Sequence, residues 1–140
     1  MGPRRITKKT TEKLVKAWRD ALGCGDWHVE IHMAKIPEAN ESANSHFDDI
    51  RKRIDMVIDP FKDSTGKECR DGDPDRETDI VHEFIHVLEY PMYQIFEQVL
   101  ETYVPKKERK MLKELYENRE ENVCHQIAAT LVRIKRRRKL

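Results

Sequence analysis

The sequence predicts an α+β fold with an N-terminal helix, a small, mostly antiparallel sheet of about three strands, and then helices to the end of the chain. Two observations support this order. Apolar and polar residues alternate in short segments between residues 27 and 58, which is typical of strands. Before and after that region, apolar residues recur at helical spacing. A chain of 140 residues suits one domain, which we expect to span 1–140.

The N-terminal half is predicted to contain one helix and three strands. The helix should cover about 10–22, and Gly23 follows it as a stop signal. The apolar positions at helical spacing are Leu14, Val15, Trp18 and Leu22. The strands are expected over 27–33, about 42–47 and about 53–58. Pro60 ends the third strand.

Proline residues divide the predicted helices of the C-terminal half. Asp73 and Pro74 form an N-cap followed by a proline at the first helical position. The apolar helix that they start is expected to end at Pro91. Further helical stretches are predicted on either side of Pro105, over 92–103 and from 106 almost to the end.

The helix that starts near residue 74 carries an HExxH motif at 82–86. His82 and His86 are four residues apart, so both imidazoles project from one face and can reach one zinc ion at about 2.0–2.1 Å. Glu83 follows the first histidine, where it can act as general base on a water at the metal. The residues around the motif are apolar, as a buried active-site helix requires. The motif therefore predicts a Zn²⁺ site.

The segment VHEFIHVL at 81–88 resembles the active-site helix of the zincin metallopeptidases. The chain's size and element order also resemble the minimal zincin-like proteins of bacteriophages. The resemblance implies a zincin-like fold, a Zn²⁺ cofactor, and hydrolysis of a peptide or protein substrate by zinc-activated water with Glu83 as general base. One departure is Asp79, because zincin families often favour valine or threonine three residues before the first histidine.

A catalytic zinc site of this kind needs a third protein ligand. The HExxHxxGxxH pattern is absent, since Glu89 stands where it requires glycine. The resemblance to the gluzincin type implies a glutamate from a later helix, and the candidates are Glu117, Glu120 and Glu121. Glu121 is favoured because small or polar residues follow it at helical spacing, which would let its helix approach the motif helix. Glu120, on a more apolar stripe, Glu117 and His125 remain alternatives.

Several other groups could assist the reaction, and the sequence does not choose among them. His46, in the second predicted strand, lies near where zincins hold an edge strand for substrate and could stabilise a tetrahedral intermediate. Four tyrosines are candidate oxyanion donors: Tyr90, Tyr93, Tyr103 and Tyr116. His28 and His32 are expected to face solvent, on the polar side of the first strand.

A basic C-terminal tail is expected from about residue 133, with cations throughout 133–139. The net charge of the chain is only +1, so no overall field points to nucleic acid or a membrane. The tail itself could bind nucleic-acid phosphates. The alternative function is therefore a non-catalytic zincin-fold accessory protein that binds nucleic acid or a protein partner.

The cysteines and the hydropathy pattern indicate a cytoplasmic protein. Three widely spaced cysteines without a CxxC pair argue against a disulfide scaffold, so reduced thiols are expected. The first residues lack the apolar stretch of a signal peptide. No segment approaches the roughly 18 apolar residues of a membrane span. The expected compartment is the cytoplasm, or the host cytoplasm if a phage encodes the protein, and no membrane partner is expected.

Overall fold

The structure, a computed structural model, describes residues 7–38, 41–62, 67 and 74–138. In chain order its elements are α1 (Lys8–Ala21), β1 (His28–Met33), β2 (Ala43–Asp48), β3 (Arg53–Ile58), α2 (Pro74–Tyr103) and α3 (Lys106–Arg138). The predicted α+β order of one helix, three strands and further helices is confirmed. Helix α2 begins at Pro74 as expected, and the predicted N-cap, Asp73, lies outside the described residues.

Helix α1 starts slightly earlier than its apolar pattern indicates, because Thr7 caps it. The Thr7 hydroxyl accepts a hydrogen bond from the backbone N–H of Thr10 at 3.2 Å. After the helix, Gly23 has a φ of 75°, a left-handed conformation that glycine adopts without steric strain. The predicted stop signal therefore does end the helix. Between these ends, Val15 and Trp18 are buried against the core.

The three strands form a sheet in the order β1-β3-β2, with β3 parallel to β1 and antiparallel to β2. The sheet is thus mixed, whereas the sequence analysis expected it to be mostly antiparallel. The chain passes from β1 to the far edge of the sheet, and the β2–β3 hairpin then brings it back beside β1. Only the pair joined by the hairpin has to be antiparallel. As a result, β2 is an edge strand of this sheet.

Helix α2 is one element of 30 residues, and the prediction that Pro91 ends it was wrong. Proline has no N–H, so α2 loses one backbone hydrogen bond near Val87. Packing against α3 stabilises the helix beyond that point. The rings of Phe96 and Tyr116 stack with centroids 4.3 Å apart, and Lys113 lies 3.4 Å from Glu97. The predicted stretch over 92–103 is therefore the second half of α2.

The core lies between β3, the first half of α2 and the second half of α3. The residues of β3 that face α2 are completely buried, and so are the residues of α2 that meet them. Small side chains on α3 close the other side of the same cluster. The most buried members from these three elements are Ile54, Met56, Ile58, Ile80, Val81, Phe84, Cys124, Ala128 and Val132. This cluster fixes the position of the motif helix relative to both the sheet and α3.

Buried polar groups at the start of α2 hold the segment that precedes β2. The guanidinium of Arg76 donates hydrogen bonds to the backbone carbonyls of Ser42 at 3.3 Å and Lys62 at 3.2 Å. The hydroxyl of Ser42 donates to the carboxylate of Asp79, which is itself buried. Asp79, which departs from the zincin pattern, therefore joins α2 to the start of β2, and its burial is compensated by hydrogen bonding.

The predicted basic tail from residue 133 continues α3 as a helix as far as Arg138. Cations near a helix C-terminus interact favourably with the exposed carbonyl groups there. Arg133, Arg137 and Arg138 are exposed, while Lys135 and Arg136 are partly buried. The basic run is thus divided between solvent-facing and inward-facing cations.

The inward-facing cations meet a buried carboxylate, Glu77 of α2, whose side chain is only 5% exposed. Glu77 accepts hydrogen bonds from Trp18 Nε1 at 2.8 Å, from Lys135 Nζ, and from Arg136 Nη2 at 3.2 Å. Because Trp18 belongs to α1 and the two cations to α3, one carboxylate joins all three helices. The cations leave little of its charge uncompensated.

Replacing Glu77 with glutamine is expected to lower the free energy of unfolding by about 1–3 kcal/mol, because Lys135 and Arg136 lose their charged partner. Burial raises the pKa of Glu77, but hydrogen bonds from Lys135 and Trp18 outweigh it and hold the pKa below the ordinary 4.5. The contribution of this carboxylate is therefore complete above about pH 4.5 and is lost as the pH falls below that value. Urea denaturation at a series of pH values measures this dependence.

The matched control is Glu114→Gln, since Glu114 is an exposed residue of α3. The control should stay within about 0.5 kcal/mol of the wild type at every pH. If Glu77→Gln is equally silent, or if its effect grows toward acid pH, the proposed contribution of this ion-pair network to stability is wrong.

Candidate metal centre

The first half of α2 presents the HExxH motif toward a cleft while the opposite face of the helix is buried. Val81 and Phe84 have no exposed surface and pack into the core. His82, Glu83 and His86 are only partly buried, because they line this cleft rather than the core. The i, i+4 spacing of the two histidines brings their rings together, with centroids 4.7 Å apart.

Three donor atoms converge at this position. The Nε2 atoms of His82 and His86 face each other at 2.8 Å. The carboxylate of Glu121 spans them, with one oxygen 3.1 Å from Nε2 of His82 and the other 2.8 Å from Nε2 of His86. Two imidazole nitrogens and one carboxylate oxygen are a donor set that zinc commonly takes from proteins.

Small residues of α3 allow Glu121 to reach the histidines. Cys124 is 1% exposed and Ala128 is 0% exposed, and both belong to the core cluster that α2 and α3 share. Because these side chains are short, the two helices can lie close together over the stretch that follows Glu121. The sequence analysis favoured Glu121 on this ground, and the structure places its carboxylate beside both histidines.

Glu120 occupies a different position, behind the ring of His86. Its carboxylate lies 2.8 Å from Nδ1 of His86. A hydrogen bond from Nδ1–H to a carboxylate leaves the lone pair on Nε2, which is the nitrogen that faces the other donors. Glu120 therefore orients His86. The Sγ atom of Cys124 lies 3.9 Å from the same Nδ1 atom, so His86, Glu120 and Cys124 form a second group of potential ligands.

A further pair of residues extends this arrangement behind Glu120. The hydroxyl of Tyr116 donates a hydrogen bond to the carboxylate of Glu89. Burial raises the pKa of Glu89, and the adjacent Glu120 raises it further. Glu89 and Tyr116 thus form a hydrogen-bonded pair close to the carboxylate that orients His86.

Glu83 lines the same cleft as the two histidines and faces β2. It accepts a hydrogen bond from the hydroxyl of Ser45 at 2.5 Å. Burial raises the pKa of Glu83, although the bond from Ser45 and the charges of the two histidines act in the opposite direction. A carboxylate with a raised pKa is a better proton acceptor than an exposed one. Its fixed orientation and desolvation are those expected of a general base.

The electrostatics of the cluster favour a bound cation. Burial alone would lower the pKa of His86, but contacts with Cys124 and the two adjacent glutamates raise it to about 11. Hydrogen bonds from His82 and His86 hold the pKa of Glu121 well below its usual range. The carboxylates thus stabilise positive charge between the two rings. A divalent metal ion supplies that charge as well as a proton does, and it would displace the proton from Nε2.

The donor geometry is also compatible with zinc. The measured separations of 2.8 to 3.1 Å are slightly shorter than the edge of roughly 3.3 Å that a tetrahedron with bonds of 2.0–2.1 Å requires. Small rotations of the side chains would close this difference. Three protein donors leave one tetrahedral position open, which distinguishes catalytic from structural zinc sites. The residues present therefore fit a zinc ion.

The remaining candidate ligands lie outside this cluster. Glu117 lines the cleft one helical turn before Glu121, but it is not among the groups whose donor atoms converge. His125 is exposed, with its ring centroid 5.8 Å from that of His82. His28 and His32 are exposed on β1, as expected.

The positions of the candidate oxyanion donors show which of them could act at the site. His46 is exposed and is not among the residues that line the cleft. Tyr103 is 80% exposed near the far end of α2, and Tyr116 is bonded to Glu89. Tyr90 and Tyr93 do line the cleft, so they are the tyrosines whose position is compatible with that role.

Sequence reasoning missed Ser45, although the signal was present in the strand. Residues alternate across a strand, so Ala43, Ser45 and Phe47 share one face of β2, and His46 lies on the other. All three line the cleft. The sequence prediction considered His46 because histidine is the more reactive residue type, but His46 is on the face of β2 that does not line the cleft. The period-two pattern together with the predicted position of β2 at an edge would have pointed to Ser45.

Comparisons with known proteins add no functional information. No protein-family model, curated protein or solved structure matches the chain. None of the described helices combines the length and apolar character that crossing a bilayer requires. Cys24 and Cys124 are free and buried, while Cys69 lies outside the described residues. Functional inference therefore rests on the geometry of the cluster.

Zinc titration distinguishes the two adjacent glutamates. Glu121→Gln is expected to weaken zinc binding more than Glu120→Gln, because the first removes a donor and the second only releases an orienting hydrogen bond. Loss of an orienting partner typically costs about 10–100-fold in metal affinity. Competition with a chromogenic chelator measures the affinities, and Glu114→Gln is the matched control. A larger loss in Glu120→Gln than in Glu121→Gln would assign the carboxylate ligand to Glu120.

Proposed function

We propose that this protein is a zinc-dependent metallopeptidase. The observation that carries the proposal is the convergence of His82, His86 and Glu121 on one point, with the partly buried carboxylate of Glu83 facing the same cleft. Under this proposal the first three residues hold Zn²⁺ and Glu83 is the catalytic base. The proposal agrees with the zincin resemblance of the motif and is supported by the short distances between these side chains.

The shape of the cleft suits an extended peptide. Its cavity has a volume of about 470 Å³ and lies between β2, α2 and α3. Residues of β2 from Ala43 to Phe47 form one wall, and no other strand of the described residues pairs with the outer edge of β2. A peptide that pairs with a free strand edge obtains main-chain hydrogen bonds that do not depend on its sequence. The scissile bond would then pass close to Glu83.

A bound zinc ion would supply Lewis acidity toward a water molecule and a substrate carbonyl. Glu83 would accept a proton from the water that attacks the carbonyl carbon, and would deliver it to the leaving amine as the C–N bond breaks. The hydroxyl of Ser45 fixes the carboxylate in the orientation that both transfers need. Glu120 keeps His86 in one tautomer throughout. These steps need no other proton-transfer group from the chain.

The accessory-protein alternative has weaker support. Two cations of the basic run, Lys135 and Arg136, are already paired with Glu77. Among the described residues of the basic run, Arg133, Arg137 and Arg138 remain for a nucleic-acid phosphate, and a short exposed cluster gives weak, salt-sensitive binding. Hydrolysis uses a glutamate that Ser45 orients beside the two histidines, whereas partner binding does not require one. We therefore retain hydrolysis as the proposed function.

The substitution Glu83→Gln is expected to leave about one equivalent of zinc bound while reducing peptide hydrolysis by about 10²–10⁴-fold. Glutamine preserves the size of the side chain and a hydrogen bond with Ser45, but it cannot accept the proton. Zinc content is measured by metal analysis of purified protein, and hydrolysis by mass spectrometry of a mixed peptide library.

Glu114→Gln, an exposed glutamate of α3, is the control for the same change of charge elsewhere. Its zinc content and hydrolysis should match those of the wild type. A Glu83→Gln protein that still cleaves the peptides cleaved by the wild type would contradict the assignment of Glu83. A wild type that takes up no zinc would contradict the metal site itself.

A further inference from the structure

The cleft that contains the candidate metal centre is strongly acidic. Seven carboxylate side chains line it, and its lining contains no lysine or arginine among the residues that the structure describes. The chain as a whole has 27 basic and 26 acidic residues, so this imbalance is local. Two of the seven, Glu83 and Glu121, would offset the charge of a bound dication. Burial favours the neutral form of one other, Glu89, and the remaining four leave the cleft negative even with the metal present.

Three of the remaining carboxylates already have partners inside the protein. Asp79 accepts the hydrogen bond from Ser42, Glu120 is bonded to His86, and Glu89 accepts the bond from Tyr116. Their contacts account for their positions without a ligand. They contribute to the negative potential of the cleft but are not available for a direct ion pair with a substrate.

The last two carboxylates, Glu41 and Glu117, are exposed on the rim of the cleft. Neither side chain forms a hydrogen bond or an ion pair with another residue of the described ranges. Glu41 lies just before β2, and Glu117 lies on α3 one turn before Glu121. They therefore flank the candidate metal centre from two different elements. A peptide lying along β2 would pass within the field of both.

We infer that this cleft selects peptides with a lysine or arginine side chain close to the bond that is cleaved, and that Glu41 and Glu117 recognise that side chain. The part of this inference that concerns cleavage rests on the proposed peptidase function. The charge selectivity concerns binding and can be measured without hydrolysis. An acidic substrate is disfavoured by the same field, since like charges in one cleft repel. Neutral peptides should bind with intermediate affinity.

The test uses zinc-loaded Glu83→Gln protein, in which peptides bind without being cleaved. Fluorescence anisotropy measures the affinity for two labelled, alanine-based peptides that differ only in carrying lysine or glutamate. We expect the lysine peptide to bind at least about tenfold more tightly, since each rim carboxylate contributes up to about fivefold as an exposed ion pair. The ratio should fall in high salt, where exposed charges are screened.

Adding Glu41→Gln and Glu117→Gln to this protein should reduce the affinity ratio to about two- to threefold. The matched control adds Glu114→Gln instead, and it should leave the ratio unchanged. Equal affinities for the two peptides, a preference for the glutamate peptide, or no binding of either would overturn the inference. An affinity ratio that stays the same after both rim carboxylates are removed would also overturn the inference.

Cleavage of the same peptides by the wild type separates this inference from the proposed function. Hydrolysis of both peptides at similar rates would leave the peptidase intact and refute the charge selectivity. Selective binding without any hydrolysis would support the acidic cleft as a binding site for basic peptides and refute the peptidase. Faster hydrolysis of the lysine peptide supports both.

Discussion

The candidate site depends above all on the close packing of α3 against α2. Cys124 and Ala128 are almost completely buried in that contact, and their small side chains let the helix that carries Glu121 approach the two histidines. A larger side chain at either position would move Glu121 away from His82 and His86, because a close-packed interior has little room for added volume. The same approach brings Glu120 to the far side of His86, so one helix contact positions a donor and an orienting group together.

The charges of this chain are nearly balanced in number but separated in space. In one place, Glu77 forms ion pairs with cations of α3 and joins three helices. In the cleft, carboxylates surround the two histidines. The first arrangement compensates a buried charge and stabilises the fold. The second leaves negative charge that a metal ion and a basic ligand can offset. A net charge of +1 is therefore compatible with two local charge distributions, the ion pairs around Glu77 and the acidic cleft, which have different consequences.

Local patterns in the sequence were sufficient to predict the order of the elements and the placement of the motif histidines on one helix face. Alternation over 53–58 located β3, and i, i+4 spacing placed both histidines on one face. The continuation of α2 through Pro91 could not be predicted in this way, because it depends on packing against α3. The parallel pairing of β1 and β3 depends on how the chain crosses the sheet. The roles of Ser45 and Glu120 likewise arise from contacts between residues more than 30 positions apart, about which local spacing carries no information.

The central claim is that zinc binds between His82, His86 and Glu121, and X-ray absorption spectroscopy of the zinc-loaded protein tests it most directly. We expect a first shell of nitrogen and oxygen at about 2.0–2.1 Å, with the outer-shell signature of two imidazoles and no sulfur. The adjacent group of His86, Glu120 and Cys124 would instead give a sulfur ligand at about 2.3 Å. A sulfur contribution, or the scattering of a single imidazole, would contradict the assignment.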